Sequence, residues 1–88
     1  GQLTIQNAIF GTGNTGTGTT ASTGNIGIYV VAPSARLHLP AGTAAANTAP
    51  LKLTSGTNLT TPEDGTFEFD GTNLYFTTGG VRKTVTLV

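Results

Sequence analysis

The sequence predicts an all-β chain ending in a three-stranded antiparallel meander, with apolar faces too large for the rest of the chain to cover. Three observations lead there. Apolar residues alternate with polar ones at period two from end to end and nowhere recur at helical spacing. Clusters of Gly, Pro, Asn and Asp cut that alternation into short runs. The chain has 88 residues and no Cys, Met or Trp, and a chain so short buries only about 60% of the surface its unfolded form exposes. Part of its stability has to come from outside the chain.

Leu3 and Ile5 alternate with Thr4 and Gln6 in a strand over 3–10, which runs into Gly11-Thr12-Gly13-Asn14-Thr15-Gly16-Thr17-Gly18. This low-complexity stretch reaches about Gly24 and cannot pack a core. It reads as a loop, or as an extended strand lying so close to another backbone that only Gly fits. Two short strands are expected over 25–31 and 36–39, parted by Ala32-Pro33-Ser34, where Pro33 removes a ladder donor and bends the chain. Leu37 and Leu39 share one face and His38 takes the other; Pro40-Ala41-Gly42 ends the second strand. Residues 43–48 are small and featureless, after which Leu51 and Leu53 flank Lys52 in the same in-out rhythm. Turns are expected at Ser55-Gly56-Thr57-Asn58 and at Thr61-Pro62-Glu63-Asp64-Gly65.

The last third is the most legible. Phe67 and Phe69 alternate with Glu68, Asp70-Gly71-Thr72-Asn73 turns, and Leu74 and Phe76 alternate with Tyr75, the pattern of a β-hairpin. A second turn at Thr78-Gly79-Gly80 leads into 82–88, with Val85 and Leu87 opposed to Thr84 and Thr86. One face then carries Phe67, Phe69, Leu74, Phe76, Val85 and Leu87. Each fully buried side chain of that size is worth about 1.5–3 kcal/mol, and nothing else in the chain is rich enough to cover the face. Three such faces meeting around an axis would cover it.

Charge excludes some partners. Only 9% of residues are charged and the net charge is zero, so no field would hold a polyanion such as nucleic acid. No apolar run approaches the roughly 18 residues that span a bilayer, and no basic start precedes an apolar stretch; membrane insertion is not expected. The first residue is Gly1 rather than Met, as in an excised segment or processed product.

Catalytic and cofactor-binding chemistry finds little support. Gly11-Thr12-Gly13-Asn14-Thr15-Gly16 matches the dinucleotide-binding spacing, but that fingerprint needs a helix at its third glycine and an acid about twenty residues on, where Arg36 stands. His38 is the only histidine and reads as a surface strand residue; only three copies around an axis would supply a metal with enough ligands. A glycosidase needs two carboxylates, yet Glu63 and Asp64 lie in a Pro-Gly turn, Asp70 opens the hairpin turn and Glu68 lies on the polar strand face. Ser34 and Ser55 show no nucleophile context. Asn58-Leu59-Thr60 is a glycosylation triplet of the kind chance supplies in a chain rich in Asn and Thr. No catalytic, cofactor or metal residue is therefore expected. Exposed aromatics remain, because sugars stack on them and receptors grip them: Tyr75, which alternates out of the Leu74/Phe76 face, and Tyr29.

Two stretches carry a family resemblance, together spanning most of 25–88. Asn25-Ile26-Gly27-Ile28 followed by Pro33-Ser34-Ala35-Arg36-Leu37-His38-Leu39 resembles the Val-Gly-Ile-Gly … Pro-x-x-x-Leu-x-Val unit of bacteriophage tail-fibre and related bacterial trimeric-fibre proteins. It departs at Tyr29-Val30-Val31, where such units carry Gly and Thr. The run from Ala49-Pro50-Leu51-Lys52-Leu53-Thr54-Ser55-Gly56 through Thr61-Pro62-Glu63 to Glu68-Phe69-Asp70-Gly71-Thr72-Asn73-Leu74-Tyr75-Phe76-Thr77 is similar to a longer segment of the same proteins.

The resemblance implies an intertwined homotrimeric β fibre segment, extracellular, on a virion tail or a bacterial cell-surface or periplasmic fibre, attaching to a host or prey surface through a glycan or protein receptor. Many such proteins end in a self-cleaving chaperone domain, whose machinery these residues lack. The expected division is 1–24, an N-terminal strand and Gly/Thr-rich loop; 25–65, shaft-like short strands; and 66–88, a β-meander forming a tip or knob. The expected trimer core is Leu37, Leu39, Leu51, Leu53, Phe67, Phe69, Leu74 and Phe76. The alternatives are a free-standing β-sandwich that binds glycans and a purely structural piece of a tail or capsid.

Overall fold

A computed structural model describes residues 1–88. The chain is all-β and contains no helix, so none is long and apolar enough to cross a membrane. It forms two compact units, Gly1–Leu51 and Lys52–Val88, each built on one sheet. The expected boundary at 24/25 is not a boundary: strands on either side of it pair in the first sheet.

In the first unit, β1 (Leu3–Ile5), β2 (Ile9–Thr12), β3 (Asn25–Ile28) and β4 (Leu37–His38) lie in the order β1-β2-β3-β4, antiparallel except for the parallel pair β3–β4. The single strand expected over 3–10 is thus a hairpin. Gln6 and Asn7 both adopt positive φ, 47° and 54°, the geometry of a type I′ turn, closed by the Ala8 amide donating to the Ile5 carbonyl at 2.9 Å. The strand expected over 25–31 stops at Ile28: the Tyr29 amide still donates to the Ala8 carbonyl, but with φ 54° the chain turns out of the sheet beyond it. Only Leu37–His38 of 36–39 pairs, and Leu51 and Leu53 lie in no strand.

The Gly/Thr stretch is an irregular excursion between β2 and β3 that hydroxyl groups tie back on itself. Ser22 Oγ donates to Asn14 Oδ1 and accepts from the Thr15 amide, while the Thr15 and Thr23 hydroxyls lie 2.9 Å apart. The Arg36 guanidinium donates to the Thr23 and Gly24 carbonyls and closes the excursion where it returns to the sheet.

In the second unit, β5 (Phe67–Phe69), β6 (Leu74–Thr78) and β7 (Val81–Thr84) form the expected antiparallel meander. Gly79 and Gly80, at φ 60° and 74°, make the two-residue turn whose twist matches the strands. The Val85 amide donates to the Leu74 carbonyl at 2.8 Å and carries the pairing one residue past β7. Apart from Pro33, no apolar side chain in the chain is buried.

Candidate functional site

Each sheet has one apolar face, and both are open. In the meander, Phe67 is opposite Phe76 and Phe69 opposite Leu74, so the four side chains share a face, which Val85 joins across from Leu74. The Phe67 and Phe76 rings meet at 4.8 Å between centroids, tilted 48°, within the range of favourable aromatic pairs. Phe67 is nonetheless 63% exposed, and Val81 and Leu87 are exposed as well. Lys83 faces Phe76 across the strand pair; its alkyl stem suits such a face while its ammonium needs water or an acceptor.

The first sheet has a second apolar face. The register places Leu3, Ile5, Ile9, Ile26, Ile28 and Leu37 on one side, with Gly11 among them. Leu3 and Ile5 are each 50% exposed and Leu37 is 61% exposed. Of the expected core residues, Leu37 therefore lies on the first sheet's face, and Phe67, Phe69, Leu74 and Phe76 lie together on the second's. Leu39 is half-buried just past β4, while Leu51 and Leu53 sit on an unpaired, exposed segment.

The polar face of the meander is the covered one. Thr77 is fully buried there, because Arg82, opposite it, reaches across β6 to Glu68 with Nε 3.0 Å from Oε1. The Glu68 carboxylate accepts from the Leu59 amide at 2.6 Å, and Arg82 donates to the Leu59 carbonyl. Glu68 and Arg82 thereby pin the segment around Leu59 over the sheet by both of that residue's backbone groups. Asn58 Oδ1 and Thr77 Oγ1 are buried without partners.

Asp70 accepts from the Thr72 and Asn73 amides, each at 2.8 Å, and from the Tyr75 hydroxyl at 2.9 Å. Tyr75, half-buried, is thus tied to the hairpin turn. The Leu59 amide foremost, with the Arg82 guanidinium, holds the Glu68 carboxyl below its usual value against the opposing effect of desolvation. The Asn73 amide foremost, then Thr72 and Tyr75, does the same for Asp70.

A group whose folded pKa is depressed contributes stability above its unfolded pKa, and that stability is lost as pH falls through the folded value. Melting of the meander should therefore stay level down to about pH 4, near the unfolded values of Asp and Glu, and fall steeply below. Glu68→Gln should flatten that acid limb. Circular dichroism melts across pH check this; an unchanged slope in the variant would remove Glu68 from the account.

In the first unit, His38 Nδ1 accepts from the Ser34 amide at 3.0 Å and lies 3.4 Å from the Ser34 hydroxyl. The serine and histidine that looked unrelated in sequence are neighbours. The ring nitrogen that faces Ser34 is thus engaged by the backbone amide of the bend. Residues 1–51 contain no carboxylate to orient the ring. The contact caps a bend.

Tyr29 is 69% exposed and lines an open depression of about 390 Å3 with Ile28, Pro40, Thr43, Asn47 and Pro50 among its neighbours. Sequence alone marked Tyr29 as an exposed aromatic but found residues 43–48 featureless. The one available signal was Asn47, a residue that tolerates left-handed backbone and takes it here at φ 68°. No family model, curated protein or solved structure matches this chain.

Proposed function

We propose that the chain is a non-enzymatic structural and adhesive module that assembles as an intertwined homotrimer, a segment of a fibre exposed outside the cell that attaches to a surface receptor. The observation that carries this reading is the pair of open apolar faces on a chain that buries no aliphatic or aromatic side chain. An exposed apolar surface on that scale marks an association site. Identical copies are the occupant that needs no further assumption, since a closed symmetric assembly presents each face to its own kind. The scarcity of charge supports it, because a neutral surface stays soluble best when much of it is covered. The resemblance of 25–88 to trimeric phage and bacterial fibres points the same way. A self-sufficient β-sandwich is disfavoured, since its two sheets would bury their inner faces against each other.

Sedimentation equilibrium tests the assembly. The expected mass is three times 8.9 kDa, held over a wide dilution range; a stable species at 8.9 kDa would overturn the fibre reading. Binding of the assembled chain to cells or glycans separates adhesion from a purely structural role in a tail or capsid.

A further inference from the structure

We infer that the depression beside Tyr29 is a binding site for a neutral sugar residue of an oligosaccharide. The inference deepens the adhesive half of the proposed function and rests on it. Tyr29 ends β3 with φ 54°, a conformation uncommon for a bulky side chain and sustained only where the surroundings enforce it. Its amide is held by the Ala8 carbonyl at 2.6 Å. The result is a phenol ring turned out of the sheet and 69% exposed, at the edge of a concave surface. Aromatic faces presented this way stack on the C–H face of a pyranose, while the hydroxyl remains free to hydrogen-bond.

The rest of the depression fits the same ligand. Pro40 and Pro50 give it rigid apolar walls. The hydrogen bonds of the neighbouring loop run among Thr43, Ala45 and Thr48 and leave the side-chain amide of Asn47, which also lines the depression, with its donor and acceptor unused. A small set of placed polar groups in a mostly apolar concavity is the composition of small-ligand sites, and about 390 Å3 lies at the lower end of their roughly 300–1,000 Å3 range. The site is also uncharged. Arg36 is the only charged side chain in 1–51, and its guanidinium is engaged by the Thr23 and Gly24 carbonyls. No residue lining the depression carries a charge that would balance a carboxylate or sulfate on the ligand, which favours neutral sugars over acidic ones.

The test is an NMR titration of the full chain in its solution assembly with maltotriose, cellotriose, chitotriose, mannotriose and 3′-sialyllactose. The expected result is that at least one neutral trisaccharide shifts the resonances of Tyr29, Thr43, Asn47 and Thr48. Tyr29→Asn, which suits the left-handed backbone and removes the ring, should weaken that binding at least tenfold. Tyr29→Phe should retain most of it, and Asn47→Ala should weaken it severalfold. No binding by any neutral probe, binding by the sialylated probe alone, or binding undiminished in Tyr29→Asn would each overturn the site. Mass measured on the same samples keeps the two readings apart: a trimer that binds no sugar loses only this site, and a monomer that binds sugar loses only the fibre.

Discussion

Replacing Phe67 by alanine should leave the single chain nearly as stable as before and take the assembly apart. In the chain alone the ring is already 63% exposed, so truncation removes little beyond its tilted contact with Phe76, a pair worth about 0.5–1.5 kcal/mol. In a trimer closed on this face the same ring is desolvated, and truncating a buried Phe costs about 3–5 kcal/mol. Symmetry repeats that loss in all three copies. At about 1.4 kcal/mol per tenfold, the association constant falls by several orders of magnitude. Phe67→Asp should abolish association outright, because a carboxylate would be buried without a partner. Thr84→Ala, on the opposite face, should leave the mass unchanged. Sedimentation velocity over a dilution series reads all three variants. Phe67→Ala and Phe67→Asp chains that sediment like the parent would show that copies meet on some other surface.

The meander was legible in the sequence because every determinant of it is local. Two tight turns, Asp70–Asn73 and Gly79-Gly80, sit between runs whose alternation fixes the register, so Phe67, Phe69, Leu74 and Phe76 fall on one face by arithmetic alone. The first sheet was not legible in the same way. Its apolar face draws Ile9, Ile26, Ile28 and Leu37 from three strands separated by the Gly/Thr excursion and by Pro33, and no local pattern announces that pairing. The Gln6-Asn7 turn was hidden because glutamine seldom adopts positive φ. A core deficit expected mainly in the last third therefore extends to both ends of the chain.

The covering of the polar meander face was equally out of reach. It depends on the Glu68–Arg82 pair catching Leu59 by its backbone, a contact that alternation cannot encode. Of the candidate site, the exposed ring of Tyr29 could be foreseen. The concavity around it could not, because it is made by turns at 40–50 that carry no periodicity.

Gly24 shows how much of the Gly/Thr stretch is packing rather than slack. A Cβ on Gly24 would lie 2.0 Å from the Thr12 carbonyl oxygen, 2.6 Å from the Gly13 carbonyl carbon and 2.8 Å from the Asn14 nitrogen. All three are backbone atoms, so no rotamer change relieves the clash. The strands cannot simply drift apart either. Thr12 pairs with Asn25, the next residue along, and Arg36 holds the Gly24 carbonyl from the other side. Gly24→Ala must therefore open the β2–β3 ladder, at a cost of about 3 kcal/mol or more, a large share of the roughly 0.05–0.15 kcal/mol per residue that stabilises a native chain. Gly18, in the same low-complexity run, has φ 57° and nothing within 4 Å of the added atom. Gly18→Ala meets only the left-handed backbone strain, about 1–2 kcal/mol, in a loop free to relax. Denaturant midpoints for the two variants, with hydrogen exchange at the β2 and β3 amides, separate close backbone approach from mere turn-making: Gly24→Ala should lose protection across that ladder and Gly18→Ala should keep it. Equal losses would mean that Gly24 serves the loop and not the sheet.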